Sequence, residues 1–192
     1  MFEMLPSRVS GIELPQKHSA GKGRRRDFRI PRPEPVMLKT NVERLLENAG
    51  IQFTPYEYDV SDGCLDAVSI ARKLEKDPEQ VFKTLVTEAP GPQYFVFIIP
   101  GPATLDLKKA AKAAGVKSIA MIPQKKLLPL TGYIHGGCSP VGMKKKLPSF
   151  LDETAILYDR ICVSAGKVGT NVEVPPEALA DYISAPMTDL IV

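Results

Sequence analysis

Val81-Phe82-Lys83-Thr84-Leu85-Val86 decides how the chain is read. Five of its six residues are apolar or β-branched, the composition of a short strand bound for the interior. Side chains alternate along a strand, so Lys83 shares a face with Val81 and Leu85. A lysine on an apolar face costs free energy unless its ammonium reaches water, a carboxylate or a bound anion. Two readings stay open at this point. Lys83 either snorkels from a strand near a sheet edge, or points into a pocket and meets an acyl or phosphate oxygen there.

Working outward, the segment before this strand carries two helical patterns. Val42, Leu45, Leu46 and Ala49 fall on one helical face, with Asn41 as the expected N-cap and Gly50 as the stop. Phe53 to Val60 reads as a strand, and a second helix is expected over about 65–76 with Ala67, Ile70, Ala71 and Leu74 inward. After the strand, Pro90-Gly91-Pro92 makes a turn, and Tyr94 to Ile99 is apolar throughout, as in a central strand. A helix follows over about 105–114, whose Lys108, Lys109 and Lys112 read as a solvated face. Short strands are expected at 118–122, 155–158, 161–163 and 172–174, and helices at 124–128 and 176–183. Strands outnumber helices without regular alternation, which predicts an α+β fold: a mixed, barrel-like sheet with flanking helices.

Composition narrows the class. The 192 residues suffice for one domain with a sizeable core, and 44% hydrophobic with 24% charged content is ordinary for a globular protein. No apolar run approaches the roughly 20 residues of a membrane span. Cys64, Cys138 and Cys162 are odd in number and show no CxxC spacing, which suits a reducing compartment and speaks against a zinc site. With only His18 and His135, a histidine-based metal site or a Ser-His-Asp triad is hard to assemble. Neither a P-loop nor a dinucleotide fingerprint occurs.

The net charge of +3 is unevenly spread. Residues 1–36 hold eight Lys/Arg against four Asp/Glu, and residues 37–192 hold 17 against 18. The leader, with Gly21-Lys22-Gly23-Arg24-Arg25-Arg26 and Pro31-Arg32-Pro33-Glu34-Pro35, has linker composition and no periodicity. It reads as a nucleic-acid-touching arm, as a solvated tail, or as sequence upstream of a start at Met37. The folded domain is expected over 37–192.

A second stretch, Gly132-Tyr133-Ile134-His135-Gly136-Gly137-Cys138-Ser139-Pro140-Val141-Gly142, packs four glycines and a proline into eleven residues. That describes a tight backbone with exposed amides, suited to cradling a ligand oxygen or to bending inside a sheet. Lys144-Lys145-Lys146 follows as a surface charge run, and Ser164 to Gly169 forms another glycine-bearing loop.

Phe82-Lys83-Thr84-Leu85, the Leu105 to Lys112 segment, the Gly132 to Gly142 stretch and Val163 to Gly169 occur in this order. Together they resemble the YbaK family of aminoacyl-tRNA deacylases, relatives of the editing domain of bacterial prolyl-tRNA synthetases. The resemblance covers residues 39–192. It implies cleavage of mischarged aminoacyl-tRNA held by its acceptor end, with Cys-tRNA(Pro) as substrate, acting in trans beside prolyl-tRNA synthetase. A synthetase pocket cannot strongly reject a side chain of similar size, so a second site clears the error. Cytoplasmic location follows from the same resemblance, with no cofactor, no metal and no membrane association.

By family role, Lys83 matches the strand lysine that holds the aminoacyl or terminal-adenosine end. Tyr56 matches the tyrosine before the first variable loop. Gly136 and Gly137 match the paired glycines facing the acyl carbonyl, and Ser164 and Gly166 match the serine and glycine of the later loop. Asn171 stands where bacterial relatives often carry Asp, and Ala165 replaces a glycine. The family's cysteine substrate attacks its own carbonyl with its own thiol, so Cys138 is read as a bystander and His135 as a partly exposed loop residue. Two other readings stand: a module that binds tRNA ends or a synthetase without turnover, and a deacylase preferring Ala-tRNA.

Overall fold

The computed structural model describes residues 38–192. The readings placed on the leader, residues 1–36, lie outside the described residues.

The first element of the described residues is α1 (Asn41–Asn48), and its N-cap is Thr40 rather than Asn41. The Thr40 hydroxyl accepts from the Glu43 N–H while the Glu43 carboxylate accepts from the Thr40 N–H, a reciprocal box that satisfies two helix-end donors at once. β1 (Thr54–Glu57), α2 (Ala67–Lys73), β2 (Phe82–Ala89) and β3 (Gln93–Pro100) follow. Then come α3 (Leu107–Ala113), β4 (Ala120–Met121) and α4 (Gln124–Thr131). The chain ends with β5 (Ser149–Asp152), β6 (Ile161–Ser164), β7 (Thr170–Val174), α5 (Pro176–Ile183) and β8 (Met187–Thr188).

The α+β class holds, but the expected barrel does not close. The strands form two open sheets, β4-β2-β3-β5-β8 and β1-β7-β6. Between them a single bridge, Val81 to Cys162, is the pairing among the described residues. The reason lies in β2: its hairpin with β3 pairs all of Phe82–Ala89, whereas β4 covers its other edge only at Thr87 and Glu88. Residues 82–85 are left with no strand on that side.

Two further differences are local. The expected strand at 155–158 is a 3-10 turn over Glu153–Leu157, because Asp152 caps it by accepting from the Thr154 N–H. The strand lies just before it, at β5, parallel to β3. Lys109 also leaves the solvated lysine face of α3: its ammonium pairs with Asp189 at 2.8 Å and donates to the Ile191 carbonyl.

Burial on both faces explains why β3 is apolar from Phe95 to Ile99. One face of the β2–β3 hairpin, with Phe82, Val86, Val96 and Ile98, packs on Val163, Val172 and Val174 of the smaller sheet and on Val42, Leu46 and Leu179 of α1 and α5. The other face, with Phe97 and Ile99, packs on Leu105, Ala110, Ala111 and Leu190. Such a doubly covered strand loses the alternation of a half-buried one. Among the described residues no helix is long and apolar enough to cross a membrane.

Candidate functional site

The unpaired edge of β2 opens into a cavity of about 490 Å³. Phe82, Lys83, Thr84 and Leu85 all line it, although consecutive residues face opposite sides of a sheet. A cavity that touches four residues in a row meets the strand edge-on. Opposite stand Ser164 and Asn171 of the smaller sheet, Leu65 to Val68 at the start of α2, Leu127 of α4, and the His135–Gly136–Cys138 turn.

Lys83 combines the two readings of the sequence. It lines the cavity, and its Nζ donates to the Gly101 carbonyl at 2.8 Å and the Ala103 carbonyl at 2.7 Å. An ammonium has three N–H donors, so one remains. Burial holds the Lys83 pKa below the ordinary lysine value. The loop it clamps depends on Gly101, whose N–H donates to the Val81 carbonyl. A Cβ at Gly101 would lie 2.5 Å from the Ala67 Cβ and 2.9 Å from the Val81 oxygen, so a larger residue would push α2 off the cavity wall.

Asn171 is 4% exposed, lines the cavity, and its carboxamide has no hydrogen-bond partner among the described residues. The amide is not sealed from solvent, so water or a ligand entering the cavity can reach it. Thr84 Oγ1 is the one fully buried side-chain polar atom without a partner among the described residues. The Ser164 Oγ accepts from the Gly166 N–H at 3.2 Å and keeps its own proton to donate.

The two paired glycines separate. Gly136 lines the cavity at φ 80°, where a Cβ would sit 2.9 Å from Leu65 Cδ1. Gly137 does not line it: its N–H closes the turn onto the Ile134 carbonyl at 3.1 Å, and its α-carbon abuts the Lys167–Val168 backbone. Gly166 is likewise outside the lining, held against Tyr133 and Val42, and Ala165 is fully buried in the core beside it. The methyl that replaces a glycine hydrogen at 165 is therefore absorbed by packing, away from the cavity.

Tyr56 also lies outside the lining. Its hydroxyl donates to Glu173 Oε2 at 3.1 Å, and Lys76 Nζ stands 5.1 Å from its ring centroid. Glu173, 7% exposed, additionally receives Lys76 at 2.6 Å, with Gln80 Nε2 at 3.5 Å and Arg160 Nε at 3.8 Å. This cluster ties the segment following α2 to the smaller sheet.

Burial pushes the Cys138 thiol up to about 12, so it stays protonated at neutral pH despite lining the cavity. His135 lines the cavity from an exposed position. Among the described residues no three His, Cys, Asp or Glu side chains converge as a metal site.

Reading the sequence alone missed Thr84, Gly101 and Asp66. Alternation puts Thr84 on the face away from Lys83, Asp66 lies in the start of the expected helix over 65–76, and Gly101 carries no signal of its own. Asp66 caps α2 by accepting from the Ser69 N–H at 2.9 Å, and hydrogen bonds from Ser69 hold its carboxyl below the usual range. It is an ionised carboxylate in the cavity lining.

Comparison with known proteins gives this geometry a context. The profile of the aminoacyl-tRNA editing domain matches residues 62–182, which include the whole cavity lining. A protein of Enterococcus faecalis, EbsC, named as a candidate Cys-tRNA(Pro)/Cys-tRNA(Cys) deacylase, is 43% identical over 152 residues, spanning 79% of this chain and 93% of that protein. A crystal structure of a candidate trans-editing enzyme for prolyl tRNA synthetase superposes with a TM-score of 0.69 at 25% identity, covering 79% of this chain and 94% of that one. The fold recurs in the hypothetical protein APE2540, with a TM-score of 0.72 at 20% identity over 79% of this chain and 99% of that one. Motif order, profile match and a relative of this identity agree: the chain belongs to the aminoacyl-tRNA editing domain family.

Proposed function

We propose that this protein edits mischarged tRNA by cleaving the aminoacyl ester, with Cys-tRNA(Pro) as substrate, in the cavity at the open edge of β2. The observation that carries the reading is the set of uncommitted polar groups in one small space. These are the spare Lys83 donor, the unpartnered Asn171 carboxamide and the Thr84 hydroxyl. The volume, about 490 Å³, fits a small aminoacyl group and part of the terminal ribose, and lies within the usual 300–1,000 Å³ of ligand sites. The family membership and the name carried by the Enterococcus relative support the reaction class.

The chemistry needs little from the protein. An aminoacyl ester is already activated, so orientation and stabilisation of the developing oxyanion supply much of the rate. In this reading Lys83 donates its third N–H to an acyl or ribose oxygen, and Asp66 accepts the α-ammonium of the aminoacyl group. Asn171 meets the side chain, and Gly136 gives the ester close access to backbone. The substrate thiol attacks its own carbonyl: the C–S bond forms, the ester C–O bond breaks, and the thiol proton passes to the leaving ribose oxygen. Cys138, held protonated, takes no part. The activity is assigned to residues 37–192, with the tRNA acceptor end as substrate and prolyl-tRNA synthetase as the enzyme beside which it works.

The test is deacylation of labelled Cys-tRNA(Pro), Ala-tRNA(Pro) and Pro-tRNA(Pro) by the wild type and Lys83→Ala, with and without prolyl-tRNA synthetase. Fast loss of the cysteinyl ester that disappears in the variant is expected. Preferential loss of the alanyl ester would keep the reaction and change its specificity. No cleavage above buffer under any condition would leave a binding module as the better account.

A further inference from the structure

The open edge of β2 resolves into single backbone groups. Residues 82–89 of β2 pair with residues 100–93 of β3 in one unbroken antiparallel register. In such a ladder, alternate residues turn both N–H and C=O toward the partner strand, and the residues between turn both away. Two bonds set the phase. The Val96 N–H donates to the Pro148 carbonyl on the β5 side, so Val96 and its cross-strand partner Val86 turn their backbone groups away from each other. The Val86 carbonyl accordingly accepts from the Ile122 N–H, beyond the other edge of β2. Phe82, Thr84 and Glu88 share the phase of Val86.

These four edge-facing residues have different neighbours. Val86 meets Ile122, and Glu88 pairs with Ala120 of β4. Phe82 follows the Val81–Cys162 bridge, where the smaller sheet reaches the strand. Thr84 lies between these coverings and pairs with no strand on that side. Val81, Phe82, Lys83, Thr84 and Leu85 all line the cavity, so it runs along this edge. The Thr84 N–H and C=O therefore point side by side into it, a donor and an acceptor on one residue.

That pair is complementary to one chemical class. An α-aminoacyl ester carries an N–H donor and a carbonyl acceptor on either side of one Cα, as a residue of an adjoining antiparallel strand does. We propose that the aminoacyl group docks on Thr84 as a one-residue strand, its α-ammonium donating to the Thr84 carbonyl and its ester carbonyl accepting from the Thr84 N–H. The proposal rests on the function proposed above and deepens it. The Thr84 N–H then faces the oxygen that gains negative charge as the substrate thiol forms the C–S bond. That charge re-forms the carbonyl as the ester C–O bond breaks and the ribose oxygen leaves with the thiol proton. The ammonium keeps donors for Asp66, and the carbonyl keeps a lone pair for Lys83. Thr84 thus reads the α-aminoacyl core common to every aminoacyl-tRNA, and the cavity walls choose the side chain.

Two measurements on the full chain test this. In the first, NMR follows the backbone of residues 82–86 with the uncleavable amide analogue of cysteinyl-adenosine. In the free protein the Thr84 N–H should exchange about a hundredfold faster than those of Lys83 and Leu85, which face β3. With the analogue bound, the Thr84 amide proton and carbonyl carbon should both move downfield, and exchange should slow by about tenfold or more. The mercaptopropionyl analogue, which lacks the α-ammonium, should bind about tenfold more weakly or worse. In the second, the α-hydroxy analogue of threonine at position 84 replaces the N–H by an ester oxygen. The kcat for Cys-tRNA(Pro) should fall about a hundredfold with Tm nearly unchanged, since no protein group loses a partner.

Slow exchange of the Thr84 N–H in the free protein would overturn the proposal, because the edge would already be paired. Absence of binding, or binding that leaves the Thr84 signals in place, would overturn it as well. An unchanged kcat in the ester variant would remove the N–H from the reaction. If that variant does not fold, the spectra of the wild type decide alone. If the wild type cleaves no ester, the proposed function fails on its own, and the same spectra still decide whether Thr84 holds an aminoacyl group.

Discussion

Glu173 and Asn171 sit two residues apart on β7, on the same face, both nearly buried, and their surroundings are opposite. Glu173 is surrounded by partners: Lys76, Tyr56, Gln80 and Arg160 all approach its carboxylate. Asn171 has none among the described residues and looks onto the cavity. A buried carboxylate that is fully met serves the fold, since breaking such a pair leaves uncompensated charge. The Asn171 carboxamide keeps access to the cavity, so water there can meet it at little cost and a ligand could replace that water. Lys83 lies between these extremes, with two donors committed to a loop and one free.

The strongest way to break this contrast is Glu173→Ala. Lys76 and Arg160 keep 22% and 31% of their side chains exposed, so the loss should fall below the 3–5 kcal/mol of a fully buried pair. A loss of about 2–3 kcal/mol is expected, or a fall of about 4–12 °C in Tm by calorimetry. Glu173 raises the pKa of Lys76 above the ordinary lysine value. A raised lysine contributes stability that is fully present below its unfolded value of about 10.4 and lost only as pH rises through the folded one. The gap between wild type and variant should therefore be flat from about pH 6 to 9. A gap under about 0.5 kcal/mol by denaturant titration would mean the cluster is not structural.

Next in size is Lys83→Met, expected to lower deacylation about a hundredfold, the scale of losing one preorganised donor, with a stability change near 1 kcal/mol. If its Tm falls as far as that of Glu173→Ala, Lys83 is only a loop clamp.

Asn171→Ala sharpens the comparison from the other side. Stability should move by less than about 0.5 kcal/mol, because no hydrogen bond is lost, while the ratio of kcat/KM for cysteinyl to alanyl ester shifts by up to about tenfold. An unchanged ratio would remove Asn171 from the binding site.

The smallest effect concerns the thiols. Cys138 and Cys162 are both pushed up to about 12 by burial, whereas Cys64 is exposed. Iodoacetamide at pH 8 should modify Cys64 first, read by peptide mass spectrometry, and leave cleavage unchanged. Fast alkylation of Cys138 would show a cavity thiol reactive enough to reopen its role.

The contrast between Glu173 and Asn171 was half visible in the sequence. Asn171 stood out beside the Val163 to Gly169 motif, but Glu173 did not, because its partners come from residues 56, 76, 80 and 160. The family resemblance alone assigns Tyr56 to the substrate, and nothing local reveals that its hydroxyl donates to Glu173.

Local pattern determined the strand around Lys83, the doubly buried β3, the glycine turn at 136–137, and the order of motifs that marks the family. These depend on propensity, alternation and positive-φ positions, which neighbouring residues settle among themselves. Tertiary structure alone decided that the sheets stay open, that the bare edge of β2 makes the cavity, and that Thr84, Asp66 and Gly101 join Lys83 there. It also decided which of the paired glycines reaches the site. Each of these depends on elements far apart in sequence meeting at one edge. What a polar group finds when it is buried is a property of that meeting, not of the residue that carries it.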